Sequence, residues 1–216
     1  MVKLQIALDN LDLEDALKSI NAVSKEIDVI EVGTILHVSE GLNAVRELRK
    51  IYPDKIILSD IKAADAGSVL TKQCFDAGAN WITVICCAEL ATMSSMLDTC
   101  KDYGKDHDVQ VELYGDWTFD NAKAWYDIGL RQVVYHRSRD SQACGQKWNE
   151  KDLDKINKLC SMGFKVTVTG GLCVDDIKLF KELPIYCFIA GRSIRDAENP
   201  LDAAKEFNLE INKYYG

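Results

Sequence analysis

The sequence predicts a single (β/α)8 barrel spanning residues 1–216, and three observations carry that prediction. Eight short runs rich in Val and Ile recur along the chain, each separated from the next by a longer segment with helical spacing. Near-continuous apolar runs alternating with helices fit a parallel sheet covered on both faces. Eight units in 216 residues average 27 residues each, compact but sufficient for an architecture that begins near about 200 residues.

The first run, LQIAL (4–8), meets Asp9. A doubly wound open sheet is the competing architecture and ordinarily follows its first strand with a glycine-rich turn. Here that turn reads ALDNLDLEDA (7–16), and neither G-x-G-x-x-G nor G-x-x-x-x-G-K-[ST] occurs anywhere. DVIEV (28–32) is the second strand; the helix GLNAVRELRKIY (41–52) and Pro53 then lead into KIILS (55–59). The helix AGSVLTKQCFDAGA (66–79) carries a glycine near its end, as a C-cap requires. WITVICC (81–87) and VQVEL (109–113) follow, then the helix TFDNAKAWYDIG (118–129) and the strand QVVYH (132–136). The helix DLDKINKLCSMG (152–163) precedes KVTVT (165–169), and Pro184 precedes YCFIA (186–190). Asn199 and Pro200 form an N-cap and first-turn pair for a closing helix. The stretch CKDYGKDHD (100–108) carries no assignment.

With 26 basic and 34 acidic residues the formal charge is −8 and the pI about 5.0. General binding to a nucleic-acid backbone needs a cationic surface, so nucleic acid is excluded as a partner and an anionic ligand requires a local cationic pocket. Hydrophobic residues make up 47%, which is enough to bury a core. Asp9 interrupts any signal-peptide apolar region, and no run approaches 18 apolar residues, so we expect a cytoplasmic protein with no membrane partner. None of the eight cysteines forms a C-x-x-C pair, and we read them as reduced, mostly buried thiols.

In a barrel the C-terminal ends of the strands ring the active site. These ends carry Asp9, Glu31, Asp60 with Lys62, Glu112, His136, Thr169 with Gly170 and Gly171, and Gly191 with Arg192. Asp60 and Lys62 are two residues apart, so a strand sends both side chains to one face, where a buried charge must pair or bind a charged group. Glu31 adds a second carboxylate; the pair is either strained or a set of ligands for a hard cation, for which Mg2+ fits best. The glycine loops VTVTGG (166–171) and FIAGRSI (188–194), with Arg192, suit a phosphate. YHRSRD (135–140) groups His136, Arg137 and Arg139 near Glu112, a constellation suited to proton transfer. His37 and His107 read as loop residues, and Trp117, Trp125 and Trp148 as packing.

DIKAADAG (60–67) contains the D-x-K-x-x-D motif and resembles the orotidine monophosphate decarboxylase suprafamily. With EVGTIL (31–36), WITVICC, YHRSRD, VTVTGGL (166–172) and FIAGRSIRDA (188–197), the chain resembles the 3-keto-L-gulonate 6-phosphate decarboxylases over its whole length. That resemblance implies Glu31 and Asp60 as Mg2+ ligands, and Asp9, Thr169, Gly170, Gly171, Gly191 and Arg192 as substrate-binding residues. It also implies a catalytic set of Lys62, Asp65, Glu112, His136 and Arg139, with Asp65 supplied across the interface of a homodimer whose active sites are shared. The implied reaction converts 3-keto-L-gulonate 6-phosphate to L-xylulose 5-phosphate and CO2 through a metal-stabilised enediolate, within L-ascorbate or sugar-acid catabolism. The alternatives are a 3-hexulose 6-phosphate synthase, which adds formaldehyde to ribulose 5-phosphate, and a non-catalytic sugar-phosphate-binding barrel. For Asp65 the competing structural role is an N-terminal cap on the helix that follows.

Overall fold

The computed structural model describes all 216 residues. Eight parallel strands close a barrel in chain order, β1 (Lys3–Leu8), β2 (Val29–Val32), β3 (Ile56–Ala63), β4 (Trp81–Ile85), β5 (Asp108–Leu113), β6 (Gln132–His136), β7 (Lys165–Thr169) and β8 (Cys187–Ala190). β8 pairs back onto β1. The predicted (β/α)8 architecture is therefore the observed one.

Helices α1 (Leu13–Val23), α2 (Thr34–Glu40), α3 (Leu42–Ile51), α4 (Gly67–Asp76), α5 (Leu90–Tyr103) and α6 (Phe119–Asp127) follow the first five strands. Next come α7 (Arg139–Ala143) and α8 (Glu150–Ser161), and after β8, α9 (Arg192–Arg195) and α10 (Pro200–Tyr215). The connection from β7 to β8 is a 3-10 turn, Val174–Phe180, instead of a full α-helix. Local chemistry sets several boundaries. Asp12 caps α1, Thr118 and Asn121 form a capping box on α6, and Asn199 caps α10 with Pro200 in its first turn. The unassigned stretch 100–108 contains the end of α5, stopped at Gly104 with φ +93°, and the start of β5.

Two layers of burial follow from the strand alternation. Outward-facing Leu4, Ile6, Leu8, Ile30, Val32, Ile57, Ile82 and Val84 pack beneath the helices in a cluster of 48 buried residues. The barrel interior is much more polar, with Gln5, Glu31, Asp60, Thr83, Gln110, Glu112, Gln132 and Thr167 all buried. Only two small apolar clusters, Val29 with Leu58 and Trp81, and Ala7 with Val134 and Ile189, interrupt it. The interior amides pair across strands, Gln110 Nε2 donating to Gln132 Oε1 at 2.8 Å and Gln132 Nε2 to Asp108 Oδ2 at 2.6 Å. These amide pairs leave Gln110 Oε1 and Thr167 Oγ1 without a partner, so the polar interior beneath the C-terminal mouth is satisfied only in part.

Two strand ends differ from the sequence reading by more than one residue. β4 stops at Ile85, and Cys86 and Cys87 form the turn that follows it, Cys86 still donating its N–H to the Glu112 carbonyl of β5. β3 runs on through Asp60 and Lys62 to Ala63, with an irregular register against β4 between Ser59 and Ala63. Lys62 has φ +49°, so its strand is kinked where an unbroken pleat was expected.

Candidate active site

Twelve of the thirteen predicted site residues line one cavity of about 630 Å3 at the C-terminal mouth of the barrel. They are Asp9, Glu31, Asp60, Lys62, Glu112, His136, Arg139, Thr169, Gly170, Gly171, Gly191 and Arg192. Asp65 is the exception. It is exposed and lies outside its own chain's cavity, and the N-cap of α4 is Ala66, with no side-chain cap, so the capping role is not observed.

The charged centre is built on β2, β3 and β5. Asp60 accepts from Thr83 Oγ1 at 2.7 Å and from Thr34 Oγ1 at 2.8 Å, and pairs with the Lys62 ammonium. Lys62 also donates to Thr34 Oγ1 at 2.7 Å and lies 3.8 Å from Glu112 Oε1. The kink at Lys62 is held by its backbone N–H, which donates to Thr83 Oγ1 at 2.9 Å. A non-glycine residue with positive φ costs energy, and its place here between two carboxylates ties that strain to the site. Burial alone would raise the Asp60 carboxyl, but the Lys62 charge and three hydrogen bonds outweigh it and hold the group below its usual range. Burial alone would lower Lys62; Glu112, Asp60 and Glu31 outweigh it and hold the amine protonated well above its usual range.

Glu31 is in the opposite position. Burial, then the like charges of Asp60 and Asp9, push its carboxyl well above the ordinary value, and Lys62 offsets this only in part. Its one hydrogen bond is from Gln5 Nε2 to Oε2 at 2.6 Å, and Oε1 accepts none. The donor set fits a hard divalent cation, since Glu31 offers an uncommitted carboxylate oxygen where negative charge is in excess. No group of three or more His, Cys, Asp or Glu side chains forms a closed cage. A cation held here by Glu31 and Asp60 would complete its shell with water and ligand oxygens, as Mg2+ commonly does.

Across the mouth, His136 Nδ1 lies 3.1 Å from Glu112 Oε2 and 2.7 Å from the Tyr114 hydroxyl. Arg139 opens α7 and reaches the same cavity. Arg137, grouped by sequence with these two, turns away. Its guanidinium donates to the Gly170 carbonyl at 3.0 and 2.7 Å and stacks 4.7 Å from the Trp148 ring. It braces the first glycine loop from behind. A Cβ on Gly170, whose φ is +116°, would come within 2.3 Å of the Arg137 carbonyl oxygen, so only glycine fits. Arg192, at the start of α9, donates to Gln142 Oε1 at 3.0 Å and completes the cationic end of the cavity.

Several residues escaped the sequence reading. Thr83 and Tyr114 sit two residues along the chain from Trp81 and Glu112, and the alternation used for Asp60 and Lys62 points to both. His37, expected in a loop, lies in α2, half-buried with a ring nitrogen 3.0 Å from Ser59 Oγ, and desolvation lowers its pKa to about 4. Gln142 approaches from α7 and carried no sequence signal. Trp117, Trp125 and Trp148 do pack against the core.

Comparisons with known proteins agree with the barrel fold. The model of the orotidine 5'-phosphate decarboxylase / HUMPS family matches residues 2–207. The 3-keto-L-gulonate-6-phosphate decarboxylase UlaD of Salmonella paratyphi B is 53% identical over 213 residues, covering 99% of this chain and 98% of that one. A ligand-bound crystal structure of KGPDC from Streptococcus mutans superposes with a TM-score of 0.97 at 46% identity, covering 100% of this chain and 99% of that one. The structure of 3-hexulose-6-phosphate synthase from Salmonella typhimurium gives 0.92 at 30% identity, covering 99% of this chain and all of that one. The chain belongs to the orotidine 5'-phosphate decarboxylase / HUMPS family.

Proposed function

We propose that the chain decarboxylates 3-keto-L-gulonate 6-phosphate to L-xylulose 5-phosphate and CO2, in the breakdown of L-ascorbate or a related sugar acid. The observation that carries this reading is Lys62 fixed between Asp60 and Glu112, across one cavity from Arg192 and the glycine loops. The relatives named as decarboxylases, at 53% and 46% identity over nearly the full chain, support the same substrate.

Arg192 and the backbone of Gly170, Gly171 and Gly191 bind the phosphate, anchoring the end of the substrate remote from the reacting bond. Asp9 fixes a substrate hydroxyl. Loss of C1 as CO2 leaves the bond's electron pair on C2, delocalised onto the C3 oxygen as an enediolate. Lys62 is a fixed positive charge in a desolvated setting and stabilises that developing charge more effectively than water does. Mg2+ bound by Glu31 and Asp60 would supply further positive charge to the substrate oxygens. His136, with Arg139 and Glu112, orients the water that delivers a proton to C2, which becomes C1 of the product. We take the working unit as a cytoplasmic homodimer in which Asp65 completes the partner's site, a role suited to its outward position.

A product assay tests this reading. The chain should release CO2 from 3-keto-L-gulonate 6-phosphate and lose that activity on exhaustive chelation. Run beside it, ribulose 5-phosphate with formaldehyde should react more slowly at saturation; faster condensation would assign the chain as a synthase.

A further inference from the structure

Tyr114 is not among the residues assigned above, yet it stands in the protonation half of the cavity. It lies just past the end of β5, two residues beyond Glu112, so the strand alternation returns its side chain to the barrel mouth. Its ring packs against His136 with centroids 4.6 Å apart and planes inclined by 37°. The hydroxyl lies 2.7 Å from Nδ1 and 3.3 Å from Nε2 of that imidazole. The two ring nitrogens flank one carbon, so an oxygen close to both lies over the ring and not along either nitrogen's in-plane direction. Glu112 Oε2, 3.1 Å from Nδ1, is the acceptor for an Nδ1 proton. A carboxylate there disfavours a bare Nδ1, because two lone pairs would face each other. With Nδ1 protonated, the one ring lone pair is that of Nε2, and it points outward in the ring plane while the hydroxyl, 3.3 Å away, lies over the ring, so the O–H is not spent on it. Apart from the two ring nitrogens of His136, no acceptor in the protein lies within hydrogen-bonding reach of its hydroxyl. Burial and the neighbouring carboxylates of Glu112, Asp60 and Glu31 keep the phenol protonated, so that a donor remains for the cavity.

We propose that Tyr114 is a positioning residue for protonation: its free O–H and the bare Nε2 of His136 form a donor and acceptor pair that holds the protonating water in one orientation. No bond is made or broken on Tyr114. The inference rests on the decarboxylase reading for its catalytic consequence, but its geometric core concerns only the ring of His136.

Tyr114→Phe tests it, because the ring contact with His136 is kept and only the hydroxyl is removed. With 3-keto-L-gulonate 6-phosphate in D2O, kcat should fall by about tenfold with KM changed by less than about twofold. Deuterium should also be scrambled between the two positions at C1 of the product. Wild-type kcat and deuterium stereochemistry in the variant would overturn the proposal. So would a fall in kcat that matched a loss of thermal stability while the stereochemistry was kept. A second measurement is independent of turnover. The chain has only three histidines, so 15N spectra can assign the His136 tautomer in the wild-type protein. Protonated Nδ1 with bare Nε2 is expected; the opposite tautomer would overturn the proposal even if the substrate reading failed, and an inactive wild-type protein with the expected tautomer would count against that reading alone.

Discussion

Lys62 Nζ lies 3.8 Å from Glu112 Oε1 while it also contacts Asp60, so one ammonium is shared by carboxylates from two strands. Lys62→Met keeps much of the volume and removes the charge. Asp60, Glu31 and Glu112 then face one another with no cation, and removal of one partner from a buried pair typically costs about 3–5 kcal/mol. Urea unfolding of the metal-free variant at neutral pH should show a loss of this order, together with loss of turnover. A loss below about 1 kcal/mol would mean that water screens these carboxylates and the site is less desolvated than its burial indicates.

Glu31 carries the opposite energetic sign. Its folded pKa is raised, so ionising it destabilises the fold: stability falls as pH rises from the ordinary carboxylate value through the raised one. Glu31→Gln should therefore raise the Tm of the metal-free protein at neutral pH, by about 2–4 °C for each kcal/mol regained. The same variant should lose activity. Wild-type protein should gain about 2.7 kcal/mol at a Mg2+ concentration a hundred times its Kd, and the variant far less. Calorimetry with and without Mg2+ distinguishes a site held under charge repulsion for a cation from one that merely tolerates Glu31.

Much of this arrangement was legible because two rules reach far in a parallel barrel. The strand runs are short, rich in β-branched residues and separated by capped helices, which fixed their order. The mouth of the barrel then collects whatever ends each run, which brought Asp9, Glu31, Asp60, Glu112, His136 and Arg192 together without any knowledge of packing. The kink at Lys62 was not legible. Lys is not a residue that favours positive φ, and the contacts that offset the strain, Thr83 Oγ1 on the next strand and the Asp60 and Glu112 carboxylates, come from the folded barrel and not from the local sequence. His37 was missed because the short segment TILHVSE (34–40) carries no assigned element, and nothing in it shows that α2 will press the histidine against Ser59. Arg137 was grouped with its neighbours by proximity in sequence, whereas the turn after β6 sends it behind the Gly170 loop. Asp65 faces outward, and a single chain says nothing about what meets it there.

Arg192→Ala tests the phosphate end. Loss of one charge-assisted contact is worth about 1.5–3 kcal/mol, so KM for the phosphorylated substrate should rise by about 10- to 150-fold. Gln142→Ala, which removes the acceptor for Arg192 but no charge, should raise KM by much less. Steady-state kinetics on both variants provides the comparison. Equal effects would show that Gln142 contacts the phosphate itself.

The acid limb of stability should carry the signature of His37. Its folded pKa is about 4 against an ordinary 6.5, because burial disfavours the imidazolium. A depressed histidine stabilises fully above its unfolded pKa, and that stabilisation is lost as pH falls from about 6.5 towards 4. At about 1.4 kcal/mol per unit, the loss is at most about 3.5 kcal/mol. His37→Gln keeps a partner for Ser59 and cannot titrate, so its urea midpoint should fall less than that of the wild type between pH 7 and pH 5. Parallel pH profiles would show that the imidazolium is accommodated by the nearby Asp60.

Asp65 tests whether the proposed homodimer shares its sites. It is exposed, its own helix does not use it as a cap, and its own cavity excludes it, so a role in turnover requires a second chain. Asp65→Asn and Lys62→Met should each be inactive as pure proteins. In a mixed dimer, one site takes both damaged residues, while the other takes wild-type Lys62 from one chain and wild-type Asp65 from its partner. Statistical exchange makes half of the dimers mixed, each with one intact site of two, so the mixture should recover about one quarter of wild-type activity. Tagged chains verify the exchange. Exchange with no recovered activity would assign Asp65 to its own chain, and an active Asp65→Asn protein would remove it from catalysis.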